Sequence, residues 1–223
     1  ARLAWPLQDY FVKTSALTFF FLLLITPIFA DNPSLKIHLI DVGQGDSILI
    51  ETPNKKAILI DAGNSISGFE VAKHLEENDI DTIEHLIFTH PDLDHIGGSF
   101  FIMQMFSISN VYDNGQDIDL FKKENDVYRW YYDLVRKSNN YQALQASDRL
   151  SAYGVELEVL WPAALGHSSN FNVNSLVIMV KYGNFRFILA GDINSIVEAK
   201  LIEEGNDLEA DIVKIAHHGA ADA

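Results

Sequence analysis

The sequence predicts a mixed α/β domain, with strand-forming segments first, helices in the middle and strands again at the end. Three observations carry that prediction. Residues 35–40, 47–51 and 57–60 are short β-rich runs separated by turn chemistry. Residues 69–78, 100–106 and 117–137 have helical length and patterning. Residues 155–160, 176–181 and 185–189 then restore the strand pattern. At 223 residues and 48% apolar composition, the chain can fill the core of one large domain or two small ones.

The elements follow in order. Residues 35–40 alternate loosely and form the first strand. Asp41-Val42-Gly43-Gln44-Gly45-Asp46 is a tight turn whose glycines permit positive φ and a close approach of backbone. Pro53-Asn54-Lys55-Lys56 turns the partner strand 47–51 into strand 57–60, which ends in Asp61-Ala62-Gly63. Helix 69–78 puts Val71 and Leu75 inward, and its His74 lies among Lys73, Glu76 and Glu77 as a solvated side chain. His38 and His85 sit on strands and read as structural. After strand 108–112 comes the turn Asp113-Asn114-Gly115. Helix 117–137 concentrates Tyr128, Trp130, Tyr131 and Tyr132, either as core or as the lining of a substrate groove. Residues 138–148 read as polar loop. Helix 193–203 follows the returning strands, and a last strand, 211–216, runs into His217-His218-Gly219.

The reactive side chains are densest in Thr89-His90-Pro91-Asp92-Leu93-Asp94-His95-Ile96-Gly97-Gly98. Apolar Leu86-Ile87-Phe88 precedes it as a buried strand, so His90 lies at a strand's carboxyl end. Residues two apart in extended chain point the same way, so His90 and Asp92 aim at one point. The start of a helix turns Asp94 and His95 toward a second point nearby. Nitrogen and oxygen donors so placed suit a pair of divalent metals. The backbone N–H groups at Ile96-Gly97-Gly98 are expected to face an anion.

The ends and the charge bear on compartment and partner. Lys13, the apolar run 16–25 and Ala30 form a signal-peptide pattern with cleavage after Ala30. The run is short for a membrane span, which needs about 20 apolar residues. The expected division is 1–30 as leader and 31–223 as an exported domain, membrane-anchored only if uncleaved. The sequence also reads as a fragment lacking part of its second half. A net charge of −15 disfavours an extended nucleic-acid footprint. It leaves a nuclease open, because bound metals reverse the sign locally. With no cysteine, disulfides, thiolate ligands and a lipoprotein anchor are excluded.

The H-x-D-x-D-H-x-G-G pattern of His90–Gly98, joined to Asp41-Val42-Gly43-Gln44-Gly45-Asp46-Ser47, resembles the metallo-β-lactamase fold, and within it the ComEC-like branch of competence proteins and phosphodiesterases. Phe171-Asn172-Val173-Asn174-Ser175, Gly191-Asp192 and His217-His218-Gly219 resemble further motifs of that family. The resemblance implies that residues 31–223 are a hydrolase domain, an αββα sandwich with metals at the strand ends along one edge. It implies two divalent ions, zinc or manganese, with a hydroxide between them. His90, Asp92 and Asp192 would hold one metal; Asp94, His95, Asp192 and His217 would hold the other. Asp61 and Asp41 would support the loop from behind. Asp94, Asp192, His218 and Asn174 are expected nearest the reaction. No histidine aligns with a further family ligand, and His167 is a few residues off. Where the family has His-His-Gly-Ser, this chain has Ala220. The implied substrate is a phosphodiester, single-stranded DNA or a small or cell-surface molecule. The carboxylate-rich first site disfavours β-lactam or thioester hydrolysis, and Ala220 is the hint toward a non-catalytic, metal-stabilised binding protein.

Overall fold

Ile58 and Ile60 face one way along their strand and Ala57 and Leu59 the other, and all four are buried. A strand alternates faces, so this one has protein on both sides, which is what a layered sandwich requires. The computed structural model describes residues 34–118, 126–165 and 168–221. The leader expected over 1–30 and His167 lie outside these residues. No described helix is long and apolar enough to cross a membrane.

Six strands make the first sheet, in chain order: β1 (Lys36–Leu39), β2 (Ile48–Glu51), β3 (Ala57–Ile60), β4 (Thr82–Ile87), β5 (Ser107–Asp113) and β6 (Tyr141–Ala143). The first three pair antiparallel, and β3 to β6 pair parallel. The second sheet has the order β11-β10-β9-β8-β7, built from β7 (Arg149–Ala152), β8 (Val155–Trp161), β9 (Val177–Tyr182), β10 (Phe185–Leu189) and β11 (Ile212–Lys214). It is antiparallel except for the β10–β11 pair.

Three apolar layers hold the stack together. Ile48, Ile50, Ile58 and Ile60 meet Leu157, Ile178, Val180 and Phe187 between the sheets. On the outer face of the first sheet, Leu49, Leu59 and Leu86 pack under α1 (Gly68–Glu77), α3 (Ser99–Met105) and α4 (Asp126–Tyr131) through Val71, Leu75, Ile102 and Tyr131. On the outer face of the second, Val177, Met179 and Ile188 pack under α5 (Ser195–Glu203) through Val197 and Leu201. The result is the expected αββα order.

Several elements differ from expectation. The described part of the helix expected at 117–137 is α4 followed by a π-helical turn over Tyr132–Arg136. Tyr128 and Tyr131 are core, while Trp130 and Tyr132 are exposed. The loop expected at 138–148 contains β6, a three-residue strand that completes the first sheet by pairing with β5. The last strand is only Ile212–Lys214, because the chain turns at Ala216–Gly219 with His217 and His218 both at positive φ.

Candidate metal centre

β3 and β4 run parallel, so their carboxyl ends deliver Asp61 and Thr89-His90 to the same edge. Asp61 has φ +59, a left-handed conformation that aspartate tolerates better than most residues. Its N–H donates to the Ile87 carbonyl at 2.8 Å, and its buried carboxylate turns toward the next loop. There it accepts the Thr89 N–H on Oδ1 at 2.7 Å. Its Oδ2 accepts the Thr89 hydroxyl at 2.8 Å and lies 2.9 Å from His95 Nδ1. With its proton given to Asp61, the Thr89 hydroxyl is left to accept from His90 Nδ1, 3.0 Å away. Both imidazoles thus carry a proton on Nδ1, and both turn Nε2 toward the centre.

α2 (Leu93–Ile96) starts at Asp92 and places His95 against the same edge. β10 ends just before Asp192, whose N–H is held by Ser175 Oγ at 3.2 Å. Asp192 Oδ2 is the focal atom: it lies 3.2 Å from His95 Nε2, 3.2 Å from His218 Nε2 and 3.9 Å from His90 Nε2. Asp94 Oδ2 is 3.7 Å from His218 Nε2 and accepts from Gln44 Nε2 at 3.2 Å. Asp92 Oδ2 is 3.5 Å from His90 Nε2. Among the described residues four sets have donor atoms lying mutually within 4.8 Å: His90-His95-Asp192, Asp94-His95-His218, Asp46-Asp61-His95 and Asp46-Asp192-His218.

The charges are those of a ligand cluster. Burial, with help from the neighbouring His95, pushes His90 below its ordinary pKa and keeps it neutral. Burial also acts against a charged His95, but the carboxylates of Asp61 and Asp192 outweigh it and raise that group well above its usual value. For Asp192 burial alone would raise the carboxyl; its hydrogen bond to His95 and the charges of His95, His90 and His218 hold it well below the carboxylate range instead. Two buried atoms here have no hydrogen-bond partner, His90 Nε2 and Asp192 Oδ1. An unpartnered buried donor or acceptor costs about 1–3 kcal/mol. A cation between them would engage both, so the residues fit a divalent metal.

The structure sorts the expected residues. His90, His95, Asp94, Asp192 and His218 come together, and Asp92 stands beside His90. His217 takes a different place: its Nε2 lies 3.4 Å from Asn172 Nδ2, while the neighbouring His218 reaches the carboxylates. The cause is local, since two consecutive left-handed residues swing the second imidazole inward. Asp41 is exposed, and its carboxylate accepts the N–H of Gly43 within its own turn. Asn174 is fully buried and braces loops, donating to the Ser168 carbonyl and accepting on its own carbonyl from Asn114. The amides of Ile96, Gly97 and Gly98 are taken by the Asp92, Leu93 and Gly63 carbonyls, so they do not face an anion.

Residues that sequence reasoning passed over complete the picture. Asp46 Oδ1 is 3.4 Å from His218 Nδ1, and Lys214 Nζ contacts Asp46 directly. Lys214 also lies 3.8 Å from Asp192 Oδ1 and donates to the Gly191 carbonyl at 3.3 Å. The signal for Asp46 and Gln44 was present in Gln44-Gly45-Asp46. Gly45, at φ +114, has room for no side chain: a Cβ there would stand 2.0 Å from the Asp94 carbonyl oxygen. The turn therefore presses directly on the metal loop.

A model of the metallo-β-lactamase superfamily matches residues 40–220. The chain belongs to that superfamily. Its fold class is that of hydrolases that bind divalent metal ions. Among solved structures, the metallo-β-lactamase GOB-18 from Elizabethkingia meningoseptica matches with a TM-score of 0.58 at 18% identity, over 83% of this chain and 75% of that one. A mutant metallo-β-lactamase from Cronobacter sakazakii matches with a TM-score of 0.56 at 20% identity, over 86% of this chain and 79% of that one. At such identities these neighbours show the fold. Curated relatives are ComE operon protein 3 of Bacillus subtilis, 26% identical over 91% of this chain, and Recombination protein 2 of Haemophilus influenzae, 26% identical over 85%. Competence protein ComA of Neisseria gonorrhoeae is 24% identical over 81%. These names agree with the ComEC-like resemblance. The chain spans only 27% and 22% of the length of the first two relatives.

Proposed function

We propose that this domain is a metal-dependent phosphodiesterase with a dinuclear site. The observation that supports it best is the meeting of His95 and His218 on one oxygen of Asp192, with His90 Nε2 and Asp192 Oδ1 left buried and unpartnered. In this reading His90, Asp92 and Asp192 hold one metal, and Asp94, His95, Asp192 and His218 hold the other. Zinc and manganese both suit a set of three imidazoles and several carboxylates. Divalent metals held there would supply a water of lowered pKa and Lewis-acid stabilisation of a phosphoryl oxygen.

The chain's own residues set up that chemistry. Asp61 fixes the tautomers of both buried histidines, one directly and one through Thr89. Gln44 and the Gly45 backbone hold Asp94. Lys214 balances charge between Asp46 and Asp192. Tyr128 is pushed up to about 12 by burial, then by the charges of Asp92 and Asp94, so its phenol stays protonated beside the metal loop.

Support for a phosphodiester over a β-lactam comes from the carboxylate content of the site and from the names of the curated relatives. DNA is then a candidate substrate, with small or surface phosphodiesters beside it. A panel of bis-p-nitrophenyl phosphate, p-nitrophenylphosphorylcholine, single-stranded DNA and nitrocefin tests the reading on metal-loaded protein. Cleavage of a phosphodiester, abolished by chelator, is the expected result. Cleavage of nitrocefin alone overturns the reaction class. The leader pattern adds export to this reading. N-terminal sequencing from the host's envelope fraction checks it, and a mature chain that retains Phe20 counts against it.

A further inference from the structure

His218 differs from the other two imidazoles of the centre. His90 and His95 are buried and are oriented through Asp61 and Thr89. The His218 side chain is 27% exposed and stands on a short turn where it and His217 both have positive φ. It meets Asp192 and Asp94 through Nε2, and these contacts do not decide which ring nitrogen carries the proton. A ligand needs that choice made: the nitrogen facing the metal holds a lone pair and the other one donates.

The turn after β1 brings Asp46 to the other nitrogen. Asp46 Oδ1 lies 3.4 Å from His218 Nδ1, and its Oδ2 contacts Lys214 Nζ directly. The two oxygens therefore face different partners. At 3.4 Å the first contact is longer than the roughly 2.7–3.2 Å of a settled N–H···O bond, and a small rotation of the ring closes it. Both supporting residues are themselves held. The Asp46 carbonyl accepts the Gly63 N–H at 2.9 Å, and Gly45 beside it abuts the Asp94 carbonyl. Lys214 ends β11 opposite Leu189, the last residue of β10, and its Nζ donates to the Gly191 carbonyl at 3.3 Å. The side chains of Asp46 and Lys214 are only 11% and 13% exposed.

We propose that Asp46, anchored by Lys214, is the positioning residue for His218: it accepts the Nδ1 proton and so turns the Nε2 lone pair toward Asp192 and Asp94. This rests on the reading above in which His218 is a metal ligand. A carboxylate only accepts, so with the ammonium on Oδ2 the remaining oxygen is the acceptor for Nδ1–H. Asp46 itself belongs to two of the convergent donor sets, but Lys214 and His218 already engage both of its oxygens. The proposal gives Lys214 a role opposite in sign to that of a bare charge. An ammonium 3.8 Å from Asp192 Oδ1 repels a divalent cation and by charge alone weakens metal binding. As the anchor of Asp46 it strengthens the binding, because a ligating histidine whose carboxylate support is lost binds metal less tightly.

The experiment uses the full chain with ¹⁵N-labelled histidine. It reads the His218 tautomer by side-chain ¹⁵N resonances in metal-free protein in mildly alkaline buffer, and zinc affinity by competition with a chelating dye. The parent protein is expected to hold His218 as the Nδ1–H tautomer. Asp46→Ala and Lys214→Met are each expected to move it toward Nε2–H and to weaken one zinc equivalent about 10–100-fold. Lys214→Arg, which keeps a cation on Asp46, is expected to restore both readouts. Tighter or unchanged zinc binding in Lys214→Met would reduce Lys214 to a bare charge and overturn the proposal. A His218 tautomer that Asp46→Ala leaves unmoved would overturn it too. Neither readout involves a phosphodiester, so failure of the substrate panel alongside these shifts would strike the reaction class and uphold the positioning of His218.

Discussion

His95 Nδ1 sits 2.9 Å from Asp61 Oδ2, and that contact decides which nitrogen of His95 faces the centre. The same carboxylate holds Thr89 by its N–H and its hydroxyl, and Thr89 in turn meets His90 Nδ1. One aspartate at the end of β3 therefore orients two imidazoles on the loop that follows β4.

Asp61→Asn tests this role without disturbing the backbone, since asparagine also tolerates the φ of +59 at this position. Half of the acceptor capacity is lost, so one of the two imidazole orientations must relax. Metal affinity and hydrolytic rate are expected to fall about 10–100-fold with the fold retained. Metal content and turnover, measured on the same preparation with circular dichroism as the fold control, give the answer. Unchanged affinity would reduce Asp61 to a turn residue.

Asp192→Ala has a more severe expected outcome. If its carboxylate lies between two cations about 3.5–4 Å apart, removing it leaves their repulsion uncompensated. The variant should retain at most one tight metal and lose activity by orders of magnitude. Full metal content with near-normal turnover would show that the proximity of His95 and His218 to Asp192 Oδ2 has no catalytic meaning.

Much of this arrangement was legible in the sequence because it rests on short-range order. Short apolar, β-rich runs bounded by turn residues put strands at 57–60, 155–160 and 185–189, and the strands at 57–60 and 185–189 fix where Asp61 and Asp192 emerge. His90 to His95 lie within one loop, so their convergence needs no knowledge of the rest of the fold. What was not legible depends on contacts between distant segments. β6 is a strand because β5 offers it an edge, and its three residues, Tyr141-Gln142-Ala143, are too few to carry a periodic signal. The choice between His217 and His218 turns on two left-handed residues. Asp46 meets His218 across more than 170 positions, and nothing local in either segment announces the pairing.

Gly45→Ala should damage the centre from outside it. The new Cβ would meet the Asp94 carbonyl oxygen at 2.0 Å and would sit on a residue with φ +114. Gly43→Ala is the control, because it too has positive φ, +71, but nothing lies within 4 Å of its Cβ. The control should lose only backbone strain, of order 1–3 kcal/mol. Gly45→Ala should lose that and also displace Gln44 and Asp46, so its metal content should drop where that of Gly43→Ala does not. Equal metal content in the two variants would refute direct pressure of the turn on the metal loop.

A second buried network, away from the metal loop, sets the alkaline limit of stability. Asp113 accepts from the Tyr131 hydroxyl at 2.6 Å, the Tyr141 hydroxyl at 2.7 Å and Arg136 Nε at 2.7 Å. Burial, then the Asp113 charge, raises both phenols above their ordinary value, against the opposing pull of Arg136. In the unfolded chain they ionise near 10. The native state thus keeps protons that the unfolded state loses, and stability is whole below about pH 10 and falls as pH rises beyond it. Urea midpoints are expected to be flat from pH 8 to 9.5 and to drop by pH 11. Tyr131→Phe should start lower but decline less steeply. A midpoint in the parent protein that does not move up to pH 11 would contradict the linkage.

The choice between His218 and His217 gives the sharpest test of the centre. His218 Nε2 lies 3.2 Å from Asp192 Oδ2 and 3.7 Å from Asp94 Oδ2, and its Nδ1 lies 3.4 Å from Asp46. His217 instead has its Nε2 3.4 Å from Asn172 Nδ2, and its N–H anchors the turn to the Gly191 carbonyl at 3.0 Å. Both residues have positive φ, +46 and +54, so asparagine is the right replacement for each: it keeps the backbone preference and removes the imidazole. His218→Asn should lose a metal equivalent and orders of magnitude in rate. His217→Asn should keep its metal and fall less than about tenfold, the loss of one hydrogen bond of ordinary strength. The reverse pattern, metal lost from His217→Asn and kept by His218→Asn, would make His217 the ligand and require the turn at Ala216–Gly219 to rearrange when metal binds.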